Sequence, residues 1–482
     1  MNPKNQPFDP ARRKFLGACC AAVGATGMLS ALAQLRLMGA VASVDSSRPG
    51  SGNPVSAEAL PSDFKALVCL FLAGGNDANN LVVPSDTAGY GAYLTGRGAL
   101  ALPQSSLLAI TPRTSDGHTY GLHPSMPELQ SLFAQGKFAL MANVGTLCVP
   151  TTKAQYTALS VPLPSQLFSH SDQQVEWQSS VPDKAFTTGW GGRLADLTNA
   201  FNSNNSVSMS ISLNGQNSFQ VGNNVVQYAV SETGAVSLTG SSSVTTTAAG
   251  VRTKAQNDLL AAQNGNLFAT AFSGVTAGSV ADSAQLAGIL GGTAPFATTF
   301  PNSSLGRQLG IIARLISAAP QLGLKRQIFF ARIGGWDLHD QQVVLGNTAT
   351  GAHANLLADV SKSLAAFYSA TKELGADNQV TTFTASDFGR TYNTNGDGSD
   401  HGWGSHHLLM GGALKGGDIY GRMPSWTING PDDTGRGRWI PSTSVDEYSA
   451  TLASWFGVSA TNLPVVLPNI GRFANPNLGF LG

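Results

Sequence analysis

The chain carries Ala66-Leu67-Val68-Cys69-Leu70-Phe71-Leu72-Ala73-Gly74-Gly75-Asn76-Asp77 near the start of its first apolar region. An unbroken apolar run closed by Gly74-Gly75 predicts a strand buried on both faces, the pattern of a parallel sheet. A second such run covers residues 137–144. Over residues 303–318 and 355–374, apolar residues recur at three- and four-residue spacing, which predicts two amphipathic helices. Each is followed by a strand candidate, at 327–333 and 380–385. Strands alternating with helices define an α/β class, with one sheet covered by helices on both faces and right-handed crossovers. Ligands in such sheets sit beyond the carboxyl ends of the strands.

Working outward, residues 43–62 are rich in Ser, Pro and Gly and read as a linker, so the fold begins at about residue 63 and runs to 482. Residues 200–300 are dominated by Ser, Thr, Asn, Gly and Ala. Alternation over 206–213 suggests short β-structure there, and the whole stretch reads as an insertion or lid. No internal repeat is visible. Charged residues make up 12% of the 482, and 28 Lys+Arg balance 28 Asp+Glu. That balance removes the electrostatic case for nucleic acid. Hydrophobic residues at 42% place the chain far from the composition of disordered proteins.

Arg12-Arg13-Lys14-Phe15-Leu16 precedes a small-residue apolar stretch and then Ala40-Val41-Ala42. Residues 1–42 therefore read as a twin-arginine export signal, with a periplasmic or secreted mature chain. Uncleaved, the same stretch would be a membrane anchor, the one route by which the membrane enters. Removal of the signal would take Cys19 and Cys20 and leave Cys69 and Cys148, either as buried thiols or as one disulfide.

Acid and imidazole groups follow the predicted strands. Asp77 reads as a metal ligand or as a helix N-cap. In Gly334-Gly335-Trp336-Asp337-Leu338-His339, an extended backbone would turn Asp337 and His339 to the same side, suiting zinc or manganese; a solvated loop pair is the alternative. Asp387 lies just beyond the strand candidate at 380–385, and Arg390 would hold an anionic oxygen or pair with a neighbouring acid. Asp400-His401-Gly402-Trp403-Gly404-Ser405-His406-His407 concentrates three of the eight histidines. Four separated segments of this kind favour a metal centre. Ser169, in Phe168-Ser169-His170, opens a helical stretch, where the helix dipole and a cation would activate its hydroxyl; the plainer reading is an N-cap beside a locally bonded His170.

In order, GGND at 74–77, FSH at 168–170, GWGGR at 189–193, GGWDLH at 334–339, SDFGRT at 386–391 and DHGWGSHH at 400–407 resemble the bacterial family of the domain of unknown function numbered 1501. The resemblance covers about residues 63–480. That family looks distantly related to the alkaline phosphatase and sulfatase superfamily. It implies an alkaline-phosphatase-like sheet in which Asp77 and Asp387 serve one metal, Asp337, His339 and His401 serve its neighbour, and Ser169 lies nearest the nucleophile position. Asp387 stands where the family often has Glu, and Leu338 where it often has Thr.

Two function classes follow. One is an exported hydrolase of a small-molecule or polymeric phosphate or sulfate ester, using divalent zinc, manganese or calcium, with Ser169 or activated hydroxide attacking and Arg390 or Arg193 steadying the anion. The other is a noncatalytic metal-binding protein of the envelope or cell surface with an exported protein partner. Replacing Arg12 and Arg13 together by Lys tests the export reading: precursor should accumulate in the cytoplasm on fractionation, and unchanged export would exclude the twin-arginine route.

Overall fold

The computed structural model describes residues 59–203, 207–235, 240–242, 244–262, 266–293 and 295–482. Residues 1–42, read from sequence as an export signal and holding Cys19 and Cys20, and the residues read as a linker up to 58 lie outside the described residues. In chain order the strands are β1 (Lys65–Leu72), β2 (Val82–Pro84), β3 (Leu108–Ile110), β4 (Tyr120–Leu122), β5 (Phe138–Gly145) and β6 (Ser210–Ser212). There follow β7 (Tyr228–Ala229), β8 (Arg326–Ile333), β9 (Val380–Ser386), β10 (Ser405–Gly411), β11 (Ile419–Tyr420) and β12 (Thr443–Ser444). The main sheet runs β11-β5-β10-β9-β1-β8-β6-β7, with β12 also beside β5. β10 is antiparallel to β5 and β9, while the other pairings in this sheet are parallel. β2, β4 and β3 form a separate antiparallel sheet.

The apolar runs behave as their composition requires. Every residue of β1 after Lys65 is buried, and β5 is buried throughout. Helices cover both faces of the sheet. On one face, Trp177 packs on His407, Trp190 on Phe383, and Tyr448 on both Phe383 and His407. These rings come from helices His170–Ser179, Trp190–Thr198 and Val445–Phe456. On the other face the helices Ser304–Ser317 and Ala352–Glu373 pack together, and the Gln327 amide of β8 reaches the Leu315 carbonyl. Both helices lie where the periodicity predicts them. The first is capped by Ser303, whose hydroxyl accepts from the Gly306 N–H.

Contacts divide the described residues into two units, one within 240–282 and the other made of 59–235 with 283–482. Within the first unit the described residues are largely helical, in Ala248–Ala261 and the early part of Leu267–Gly292. The second unit holds the sheet. Only Ser210–Ser212 of the β-structure read at 206–213 forms a named strand, and it pairs with β8 in the main sheet instead of belonging to a separate inserted layer. Cys69 and Cys148 are both free, buried thiols. Among the described residues, no helix is long and apolar enough to cross a membrane.

Register decides where the loops emerge. Leu72 pairs with both Ile333 and Ser386, so the carboxyl ends of β8, β1 and β9 are level. The segments after them therefore start at one edge of the sheet. β10 runs the opposite way, which brings the residues preceding Ser405 to that same edge. Gly74 makes the close approach feasible: its φ is +123°, and a Cβ there would lie 2.5 Å from the Asp337 nitrogen.

Four imidazoles are buried as neutral groups. Burial lowers His406 and His353 to about 4, and His407 and His123 to about 3. Their folded values lie below those of the unfolded chain, so this contribution to stability is present above about pH 6.5 and is lost as pH falls through the interval toward about 4. Thermal melts in the presence of chelator should be level above about pH 7 and drop steadily below about pH 6.5. His407→Asn should flatten that drop; a melting temperature that rises on acidification would refute the assignment.

Candidate metal centre

The loop after β8 carries Asp337 into the middle of three imidazoles. His339 Nε2 lies 3.0 Å and His401 Nε2 3.3 Å from Asp337 Oδ1, and His170 Nε2 lies 3.4 Å from Asp337 Oδ2. Asp337 and His339 thus meet, in a loop where the Leu338 N–H donates to the Trp336 carbonyl instead of in an extended strand. His401 arrives from the segment ahead of β10. His170 arrives from the first position of helix His170–Ser179.

The opposite nitrogen of each ring faces an oxygen. His170 Nδ1 is 2.6 Å from Asp387 Oδ2, His339 Nδ1 is 3.1 Å from Asp400 Oδ1, and His401 Nδ1 is 2.7 Å from the Phe168 carbonyl. Carboxylate and carbonyl oxygens only accept, so each Nδ1 donates and each ring, when neutral, presents an Nε2 lone pair toward Asp337. His339 Nε2 and His401 Nε2 then stand 2.9 Å apart. Two lone pairs at that distance require a shared proton or a cation between them. His170 Nε2 has no hydrogen-bond partner. The donor atoms of His170, Asp337 and His401 all lie within 4.8 Å of one another, and His339 adjoins two of them, Asp337 and His401. Three imidazoles and a carboxylate, each oriented from behind, fit a divalent cation.

Charges around the cluster are tuned in opposite directions. Burial raises the Asp337 carboxyl, but the Arg390 hydrogen bond and charge outweigh it and hold the group below the usual carboxylate range. The Asp387 hydrogen bond raises His170 despite burial, whereas burial lowers His401. Asp400 is held at about 2: burial opposes this, and hydrogen bonds from Asn395, Arg436 and His339 prevail.

The remaining residues singled out from sequence fall in different places. Asp387 is buried behind His170, accepting also from the Gly74 N–H at 3.1 Å and Gln174 Nε2 at 2.7 Å. Asp77 forms an ion pair with buried Arg97 and accepts from Gln342 and Asn79. Its oxygens are thus engaged by protein donors. Among the described residues there is one donor cluster of this kind, and the pairing of Asp77 with Asp387 at a second centre has no counterpart in their contacts. Arg390 donates to the Gly74 and Ser399 carbonyls and to Asp337, so it positions the carboxylate that faces the imidazoles. Arg193 donates to the carbonyls of Val466, Thr188 and Ser179, away from the cluster's donors. Ser169 occupies the N-cap position without capping; its hydroxyl donates to Asp172 Oδ2 at 2.6 Å.

His170 reads from sequence as a locally bonded group, Asp400 has no role of its own in that reading, and Arg97 is absent from it. His170 sits in the quoted FSH motif, and Asp400 precedes His401, so both had a local signal. Arg97 ends a helix, Thr87–Arg97, with nothing in its immediate sequence to announce a partner.

The fold and this cluster define an α/β protein with a carboxylate–imidazole site at its strand ends. The chain belongs to the family described as Protein of unknown function (DUF1501), whose profile matches residues 64–435. Similar solved structures include a sulfatase from Pseudoalteromonas sp., at 11% identity and TM-score 0.35, covering 83% of this chain and 69% of that one. Others are the lipoteichoic acid synthase LtaP from Listeria monocytogenes, at 9% identity and TM-score 0.32 with 86% and 79% covered, and the phosphonate monoester hydrolase of Agrobacterium radiobacter, at 11% and 0.32 with 83% and 77% covered. No curated protein matches.

Asp77 and Asp337 separate in one experiment. Asp77→Ala leaves Arg97 buried without its counter-charge and should lower stability by about 3–5 kcal/mol, while zinc bound per folded chain stays at the wild-type level. Asp337→Ala should lose the metal. Equal metal loss from folded protein of both variants would make Asp77 a ligand.

Proposed function

We propose that this chain is a metal-dependent hydrolase of phosphate or sulfate esters, with His170, Asp337, His339 and His401 holding the cation. The observation that carries this reading is the convergence of three Nε2 lone pairs on Asp337, each ring locked by an oxygen at Nδ1. Imidazole-rich donors suit zinc or manganese; calcium, which takes six to eight oxygen ligands, fits this set poorly. When bound, the cation supplies charge stabilisation to an ester oxygen.

The chain's own groups do the rest. Asp387, Asp400 and the Phe168 carbonyl fix the tautomers, and Arg390 fixes Asp337. Ser169 adjoins metal-facing His170 at the positive end of a helix of 10 residues, and its hydroxyl already donates to Asp172. Asp172 is thereby placed to take the Ser169 proton as the oxygen attacks phosphorus or sulfur; the alkoxide leaves from the opposite side and takes a proton from solvent, and water then attacks the seryl ester, releasing phosphate or sulfate as the proton returns to Ser169. The side chains of Asp337 and His339 are each 44% exposed, which leaves the cluster open to a substrate from solvent.

One feature favours the noncatalytic alternative, a metal-binding envelope protein with an exported partner: four protein donors are enough to close a tetrahedral site. Turnover decides. Wild-type protein loaded with zinc or manganese should hydrolyse an aryl phosphate or aryl sulfate, and Ser169→Ala should retain metal while losing about a thousandfold in kcat or more. A loss of only a few fold would make water the attacking group. No turnover by metallated wild type across a broad ester panel would leave the noncatalytic reading.

A further inference from the structure

Arg390 and Arg193, the cations expected to meet the anion, are both buried and engaged by internal acceptors. Another arginine takes a place beside the cluster. The turn from Asp433 to Trp439 is organised by the buried Asp433 carboxylate. That group accepts from the N–H groups of Gly435 at 2.7 Å, Gly437 at 2.8 Å, Arg438 at 3.1 Å and Asn429 at 2.8 Å. A carboxylate saturated by backbone donors fixes a loop that would otherwise be free to move. Arg436 is held in the left-handed region at φ 61°, a conformation that a non-glycine residue adopts only when its surroundings impose it.

This turn sends two guanidinium groups toward the site, with different fates. Arg436 pairs with Asp400, the carboxylate behind His339. Arg438 donates from Nε to the His401 carbonyl at 2.9 Å, and its guanidinium carbon lies 4.5 Å from the centre of the Phe168 ring. Stacking on that ring and the Nε bond fix the guanidinium plane between two segments of the site: Phe168 immediately precedes Ser169 and His170, and His401 faces Asp337. Among the described residues, no hydrogen bond or ion pair engages Arg438 Nη1 or Nη2. A half-buried guanidinium with an ordered plane and two unclaimed donor groups matches the paired oxygens of a tetrahedral oxyanion.

We infer that Arg438 is the anion-recognition residue of the site, selecting esters that carry a non-bridging anionic oxygen, such as aryl phosphates and sulfates, over neutral carboxylic esters. The inference rests on the hydrolase reading. It adds a specificity role for a residue beyond the span 64–435 matched by the family profile.

The test uses the metal-loaded full chain with two readouts, calorimetric binding of inorganic phosphate and of sulfate, and turnover of 4-nitrophenyl phosphate, sulfate and acetate. Arg438→Gln should keep its metal content and bind the preferred oxyanion about ten- to a hundredfold more weakly, the range expected for losing charged hydrogen bonds. It should raise KM for the anionic ester by a similar factor and leave any acetate turnover unchanged. Arg438→Lys, which keeps the charge but not the fork, should fall between the two and guards against a folding defect in the glutamine variant. Wild-type oxyanion affinity and KM in a metal-replete Arg438→Gln chain would overturn the inference while leaving the hydrolase reading standing. Oxyanion binding that weakens in Arg438→Gln, in a wild type without ester turnover, would support the anion site and overturn the hydrolase reading. Metallated wild type that neither binds phosphate or sulfate nor hydrolyses an ester would overturn both.

Discussion

A single buried guanidinium ties the loops of the carboxylate–imidazole cluster together. Arg390 follows β9, donates from Nη1 to the Gly74 carbonyl beyond β1 and to Asp337 beyond β8, and donates from Nε to the Ser399 carbonyl ahead of β10. Four chain segments thus meet at one side chain that is wholly shielded from solvent. A permanent charge there is tolerable only when dense acceptors and a counter-charge surround it. Asp337 is that counter-charge, so the carboxylate facing the imidazoles is also a condition for folding the edge of the sheet. A lysine would bring the charge without the planar fork that spans these acceptors.

The same division of labour repeats behind the histidines. Asp387 and Asp400 act from behind the cluster, because each sets which nitrogen of its imidazole carries the proton. Asp400 is in turn fixed by Arg436, and the Asp433-centred turn that carries Arg436 also carries Arg438 to the back of His401. Inner donors, outer acceptors and bracing cations therefore form one connected polar network. Its members will not respond to mutation independently, and double-mutant cycles are the means to apportion them.

The sheet was legible because burial on both faces removes polar alternation. The runs at 66–72 and 137–144 became β1 and β5, and the helices at 303–318 and 355–374 appeared within a few residues of their periodic patterns. Asp337 and His339 follow β8, as the strand-end rule expects, whereas His401 precedes β10 and reaches the same edge because that strand runs the opposite way. What spacing does not encode is which long-range partner reaches a given side chain. His170 looked local because Ser169 beside it had the standard helix-start chemistry, yet the helix it opens carries its ring to Asp387 and Asp337, far along the chain. Arg193 looked catalytic within GWGGR, but a Cβ at Gly192 would collide with the Val221 backbone at 2.1 Å. Those glycines permit close packing of the helix, and the arginine then donates to the carbonyls of Val466, Thr188 and Ser179.

Asp77 and Asp337 make the sharpest comparison. Both lie beyond parallel strands at the same edge, both pair with an arginine that is fully buried, and both carboxyls are held below their usual range against the effect of burial. Their motifs alone give them the same role. Exposure and valence separate them: Asp77 is 1% exposed, and Arg97, Gln342 and Asn79 claim both its oxygens, whereas Asp337 is 44% exposed and directs both oxygens to imidazoles. A carboxylate whose lone pairs are already filled by internal donors gains little from a cation and loses its neutralised arginine if it moves. The floor of the site is therefore built from a closed ion pair and its working edge from an open one, and the residue that makes the difference, Arg97, stands twenty positions along the chain at the end of a helix.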